Sequence, residues 1–404
     1  MNLKTLIAAP LVLSLAATAM AQKISDDVIK IGVLTDLSGA FSDVAGQGSV
    51  IAARMAVQDF ANDGKLLGKR IEVVSADHQN NADVASNKAR EWYDRDQVDV
   101  IVDLVNSTAA LAVMDVAERK QRLTLVSGAA GLAITNERCN AFNVHWAYDL
   151  YPMVTSLPEA VVKAGKRKWY FITVDYGAGH YTETQASQAV RRSGGEVLGA
   201  VRHPFGSTAD FASLLLKAQS SGADVIALAN SGQDAINTIK QASEFGIVGG
   251  QQTIVPMLLF INDVHTLGLK RTQGMNLVEG FYWDRDDRTR SWSRRFLSQH
   301  KRMPNVVQAG VYSSVLNYLK AVRAAGTDEA SAVMAQLRSM EIDDGLFKGK
   351  IRADGRLMHD MLMVEVKKPS ESVSPWDYYR VRTVIPAEGA ALPLSQSKCK
   401  LIKN

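Results

Sequence analysis

The chain has 404 residues, 46 basic against 42 acidic side chains, and a formal charge of +4. That is long enough for two ordinary cores. Basic and acidic residues are interspersed with no dense Lys/Arg stripe, which excludes a nucleic-acid surface. Even residues 285–295, the densest basic stretch, alternate with Asp284, Asp286 and Asp287 and read as a solvated helix start.

In chain order, Lys4 precedes an apolar run over residues 6–17, and Ala19-Met20-Ala21 places small residues where a signal peptidase reads. This is the layout of a secretory signal peptide cleaved after Ala21, which leaves 383 residues and a charge of +3. The apolar run is shorter than the roughly 20 residues that span a bilayer. Charged residues interrupt every later apolar run, so a soluble periplasmic protein is expected. Cys139 and Cys399 would then meet oxidising conditions. Neither has a Cys or His neighbour for zinc, and a structural disulfide tying the tail to the first half is expected.

Behind the leader one unit repeats: a short β-branched run, a turn, an amphipathic helix. Residues 28–34, 70–75, 98–105 and 123–126 read as strands, with helices at 48–60, 83–95 and 109–120 between them. The pattern restarts with helix 153–164, strand 169–174, helix 180–192, strand 196–201, helix 210–220, strand 224–229, helix 235–245 and strand 253–260. A helical stretch at 292–325 follows. Two late strands, 361–366 and 378–384, are expected to return to an earlier sheet. Alternation of this kind demands parallel sheets covered on both faces, so the fold class is α/β with two doubly wound lobes.

Ligands of open parallel sheets bind beyond the carboxyl ends of the strands. The turns there are rich in small and hydroxyl residues: Asp36-Leu37-Ser38-Gly39, Asn106-Ser107-Thr108, Ser127 to Gly131, Asp175 to His180, and Asn230-Ser231-Gly232-Gln233. Each sets backbone N–H groups at a helix start, which suits an anionic group such as a carboxylate. Ser, Thr, Asn and Asp at such points also serve simply as helix caps.

With these turns in view, the sequence resembles the branched-chain amino-acid (Leu/Ile/Val) binding family of ABC-importer solute receptors. The cues are Ile29-Lys30-Ile31-Gly32-Val33-Leu34 leading into Leu37-Ser38-Gly39, then Gly68-Lys69-Arg70-Ile71-Glu72-Val73 and Val126-Ser127-Gly128-Ala129. Asp175-Tyr176 with Gly179-His180, Ala209-Asp210-Phe211, and Gln241-Ala242 with Phe245-Gly246-Ile247 add to them. The resemblance implies the type I periplasmic-binding-protein fold, with three crossings near residues 146–150, 280–284 and 353–359. Lobe 1 would be residues 26–147 with 284–353, lobe 2 residues 148–283 with 354–384, and 385–404 a tail. It further implies a monomer that closes about the hinge on a small-molecule solute and docks to membrane permease subunits through polar residues on both lobe tips.

Carried over turn by turn, the resemblance places Asn106, Ser107 and the backbone of Ala129, Ala130 and Gly131 around a ligand carboxylate. Phe41, Ser42, Asp43 and Val44 would flank the ligand, with Tyr148 packing from the first crossing. The second lobe would add Ala178, Gly179, His180, Asn230, Ser231, Leu258 and Phe260. Three departures stand out. Amino-acid binders carry a hydroxyl residue where this chain has Gly131, an acid for the ammonium near Met257-Leu258-Leu259, and often an aromatic residue at Ala178. Asp43 or Asp149 remains as a partner for an ammonium; otherwise the solute is a carboxylate with a larger apolar or aromatic body.

Catalysis finds little support. Gly46-Gln47-Gly48 and Gly177-Ala178-Gly179 lack the third glycine of a dinucleotide fingerprint, and no nucleophile elbow, phosphate loop or His-Glu-x-x-His occurs. The seven histidines are scattered, and Asp77-His78 has no third ligand nearby. No metal or cofactor is expected. A ligand-binding sensor of the same fold is the alternative to an import receptor.

Overall fold

The computed structural model describes residues 24–206 and 208–402, so the expected signal peptide lies outside the described residues. The first sheet contains β1 (Val28–Thr35), β2 (Lys65–Leu66), β3 (Lys69–Asp77), β4 (Val100–Asp103), β5 (Leu123–Val126) and β6 (Asn143–His145), in the order β2-β3-β1-β4-β5-β6. All its pairs are parallel except the β2–β3 hairpin. The second contains β7 (Lys168–Val174), β8 (Glu196–His203), β9 (Val225–Ala229) and β10 (Thr253–Pro256), all parallel, in the order β10-β9-β7-β8. Each chain path starts mid-sheet, runs to one side, then reverses. The reversal opens a crevice beyond β1 and β4 in one lobe and beyond β7 and β9 in the other.

The fully buried strands explain the near-continuous apolar runs. Val100 to Asp103, Leu123 to Val126 and Val225 to Ala229 are buried at every position, as parallel strands covered on both faces must be. The expected helix 292–325 is two helices, Asp287–His300 and Val306–Ala325. Lys301 turns left-handed at φ 65°, Pro304 cannot continue a helix, and Asn305 caps the next with hydrogen bonds from Val307 and Gln308 N–H. The second helix is buried along most of its length and packs on Gly46–Phe60 from the opposite end of the sequence.

The late strands do not join either parallel sheet. β15 (Met361–Val366) pairs antiparallel with β11 (Asn276–Glu279) on one side and β16 (Tyr379–Ile385) on the other. A smaller antiparallel sheet joins β12 (Ile342–Asp343), β13 (Lys348–Ile351) and β14 (Leu357–His359). β14 pairs with β13, and Arg356 just before it bridges to His145 at the end of the first sheet.

The crossings are packed on one another. A side chain at Gly280, in the second crossing, would lie 2.8 Å from Val306 Cγ2, 3.0 Å from the Ala147 carbonyl and 3.3 Å from Met361 Sδ. Arg356, 1% exposed, donates from Nη1 to the carbonyls of His145 and Trp146 at 3.2 Å each and sets Nε 2.8 Å from Asp149 Oδ2. Burial pushes the Asp149 carboxyl up and the Arg356 guanidinium down from their usual values, against the attraction between them. Arg356→Met leaves Asp149 buried without its cation and is expected to lower the unfolding free energy by about 3–5 kcal/mol in urea titration. A loss below about 1 kcal/mol, the range of an exposed pair, would remove the clamp from the account.

Cys139 and Cys399 form a disulfide across 260 positions of sequence, with their Cα atoms 5.5 Å apart. Lys398 N–H also donates to Asn136 Oδ1 at 2.5 Å, and Lys400 pairs with Glu118 at 2.9 Å. Replacing both cysteines by serine is expected to cost about 2–4 kcal/mol in chemical denaturation. An unchanged midpoint would show that the tail's other contacts hold it alone.

Candidate ligand cleft between the lobes

A cleft of about 510 Å³ lies between the carboxyl ends of the two parallel sheets. On the first lobe, Asp36 folds the loop after β1: its carboxylate accepts from Gly39 N–H at 2.7 Å and Phe41 N–H at 2.9 Å. That turn presents Phe41, Ser42, Asp43 and Val44 to the cleft. Asn106 caps the helix Ser107–Lys120 by accepting from Ala109 N–H at 2.9 Å, and its amide donates to Asn80 Oδ1 at 2.6 Å. Ser107 Oγ accepts from Gly131 N–H at 3.1 Å, which joins two turns of the wall. Tyr148, from the first crossing, donates to the Gly128 carbonyl at 2.7 Å and meets Phe260 edge-on at 5.6 Å.

Two helices of the second lobe, Gly177–Arg192 and Gly232–Glu244, start at the cleft with no side-chain cap on their N-termini. Ala178, Ser231, Gly232 and Gln233 bring those starts to the wall, opposite Ser107 and Thr108. Three helix N-termini therefore converge on one space, the arrangement that stabilises an anion without a cationic side chain. Among the described residues no Lys, Arg or His lines the cleft. The rest of the wall is largely apolar or aromatic, including Leu150, Ile236, Leu258 and an edge-on pair of Tyr176 and Phe205 with centroids 5.4 Å apart.

The wall thus gathers Phe41, Ser42, Asp43, Val44, Asn106, Ser107, Ala130, Tyr148, Ala178, Ser231, Leu258 and Phe260 from the sequence reading. Five others lie off it, each for a local reason. Ala129 is buried in the core behind the turn, with its carbonyl 2.7 Å from His145 Nε2. Gly131 has its N–H on Ser107, and a Cβ there would sit 3.0 Å from Ser107 Cβ and Oγ. A side chain at 131 would therefore meet Ser107 first.

Gly179 faces its own strand, where a Cβ would lie 2.0 Å from the Val174 carbonyl. His180 turns back to Asp175 at 2.7 Å, and the Asn230 amide is taken up by His203 at 3.1 Å and Thr238 at 3.3 Å. Asp149, expected as one partner for an ammonium, is spent on Arg356. Asp43 is on the wall but pairs with Arg302.

Sequence reasoning missed Asn80, Tyr176, Phe205, Asn262, Asp263 and Thr266. Asp263 carried a readable signal: it stands three residues after Phe260 and closes a helix start by accepting Phe260 N–H at 2.9 Å. Asn262 reaches across the cleft to Asp43 Oδ2 at 3.3 Å, and Asn305 Nδ2 donates to Asn262 Oδ1 at 3.2 Å, so the two lobes touch through amides.

With this geometry in place, comparison with known proteins is decisive. The sequence profile described as periplasmic binding protein matches residues 28–371. The chain belongs to the periplasmic binding protein family. A solved periplasmic binding protein from Burkholderia mallei is 49% identical, with a TM-score of 0.88 and coverage of 93% of this chain and 100% of that one. A branched chain amino acid ABC transporter periplasmic ligand-binding protein from Burkholderia xenovorans LB400 is 39% identical, with a TM-score of 0.85 and coverage of 92% and 99%. Leu/Ile/Val-binding protein homolog 6 of Brucella melitensis is 28% identical over 247 residues, so the match spans 60% of this chain and 60% of that curated relative.

Asp103 lies beneath this wall, fully buried beside the hydroxyls of Thr35 and Ser49. Its carbonyl accepts from Ser127 and Gly128 N–H at 3.0 Å each, and a Cβ at Gly128 would lie 2.5 Å from its Oδ1. Burial raises the carboxyl to about 6. The native state therefore holds this proton to higher pH than the unfolded chain, and the stability it contributes declines as pH rises through about 6. Asp103→Asn suits the left-handed backbone there, φ 80°, and removes the ionisation. Its stability relative to wild type is expected to improve by about 2–3 kcal/mol between pH 4 and pH 7.5, read from urea midpoints. A pH-independent difference would exclude Asp103 as the titrating group.

Proposed function

We propose that this protein is the periplasmic substrate-binding component of an ABC importer, capturing a small carboxylate-bearing solute by hinge closure. The observation that carries the reading is the meeting of helix N-termini from both lobes on one cleft without a cationic side chain. A carboxylate there would take N–H donors from both lobes, so binding would favour the closed form by its differential contacts. The aromatic and aliphatic wall suits an apolar or aromatic body, whether that of a branched-chain amino acid or of an aromatic or aliphatic acid. In this reading the chain is exported with cleavage after Ala21, works as a monomer, hands its solute to permease subunits at the inner membrane and catalyses nothing. Family membership and the likeness to a branched chain amino acid ABC transporter ligand-binding protein support it.

A thermal-shift screen of amino acids, aromatic acids and aliphatic acids on the processed protein is expected to find stabilising carboxylates. Small-angle scattering with such a hit should show a smaller radius of gyration. Absence of both stabilisation and compaction across the panel would sink the proposal.

A further inference from the structure

Among the described residues no cation pairs with Asp263, an acid of the cleft wall. Its side chain belongs to a residue only 8% exposed, on the same wall as Leu258 and Phe260. Oδ2 accepts Phe260 N–H at 2.9 Å. Among the described residues Oδ1 has one long contact, 3.4 Å to Asn262 Nδ2, an amide that also reaches Asp43 at 3.3 Å. The neighbouring acids are already engaged: Asp43 by Arg302, and Glu279 by the Tyr379 hydroxyl at 3.0 Å. Burial, with the Asp43 charge adding to it, pushes the Asp263 carboxyl up to about 7. A carboxyl oxygen with spare capacity, on a buried residue of a cleft wall, is costly until a donor meets it.

We infer that Asp263 reads a hydrogen-bond donor, hydroxyl or ammonium, which the solute carries in addition to its carboxylate. Phe260 and Tyr148 beside it would hold the solute's body while Oδ1 takes the donor. Discrimination of this kind is strong, because a solute without the donor leaves the buried oxygen unmet.

The inference rests on the carboxylate-capture reading, and titration calorimetry with matched acids separates the two. The probes are benzoate against 3- and 4-hydroxybenzoate, and 4-methylpentanoate against leucine, on the processed full-length protein. In at least one set the donor-bearing member is expected to bind about tenfold tighter or more. Asp263→Leu should abolish that preference, so that the two members of the set bind within about twofold of each other. Asp263→Asn retains an acceptor for both the helix cap and a hydroxyl but carries no charge. It keeps the preference if the donor is a hydroxyl and loses it if the donor is an ammonium, which identifies the source.

Carboxylates that bind wild type without any donor preference overturn this inference alone, as does a preference that survives in Asp263→Leu. No heat with any acid overturns the carboxylate reading as well. Circular dichroism of both variants checks the fold, and the wild-type comparison decides even if Asp263→Leu fails to fold.

Discussion

A guanidinium shut away from water holds two of the three crossings together. Arg356 donates to the carbonyls of His145 and Trp146 where the first crossing begins, stands against Asp149 at its end, and itself lies just before β14, which leads into the third. The second crossing is pressed against both where Gly280 leaves no space for a side chain. Everything else about the cleft follows from this junction. The two parallel sheets can face each other across a gap only because their link is narrow and densely bonded. A lobe movement must be absorbed by a few backbone torsions beside the clamp, while the sheets move as rigid pieces.

The cleft walls divide their work by chemistry. Helix starts provide oriented N–H groups, which attract negative charge without the conformational freedom of a long basic side chain. The aromatic and aliphatic residues exclude water, and that strengthens every polar contact made inside. The amides Asn262 and Asn305 connect the lobes beside the loop of Asp43. They are uncharged, so the contact can form and break without leaving a buried ion unpaired.

Much of this was legible because parallel strands have a simple signature. Strands such as Val225–Ala229 are buried on both faces, so their sequence is apolar throughout, and the turns beyond them carry Ser, Asn and Gly. What those turns do individually was less legible. Asn230 and His180 have the same residue types as true wall residues, but His203 and Asp175 take up their polar atoms. Only three-dimensional neighbours distinguish a cap from a contact. Phe205 escaped notice because an aromatic side chain in a loop has no periodicity to reveal it, and nothing in the turn from Asp175 to His180 distinguished Tyr176 as a wall residue. The break before Val306 was hidden by an apolar pattern that continues across Pro304. β6, three residues with Asn and His among them, has too little pattern to be read at all.

The helix Val306–Ala325 has a consequence for how the molecule is assembled. It covers Gly46–Phe60, so the first lobe cannot complete its core until some 250 later residues have been made and delivered, a separation that slows folding. The second lobe's parallel sheet is built from one continuous stretch and faces no such wait. A chain emerging from its N-terminus would therefore finish its second parallel sheet while the first lobe is still half-built. During that interval the exposed face of Gly46–Phe60 is the surface most in need of protection from aggregation.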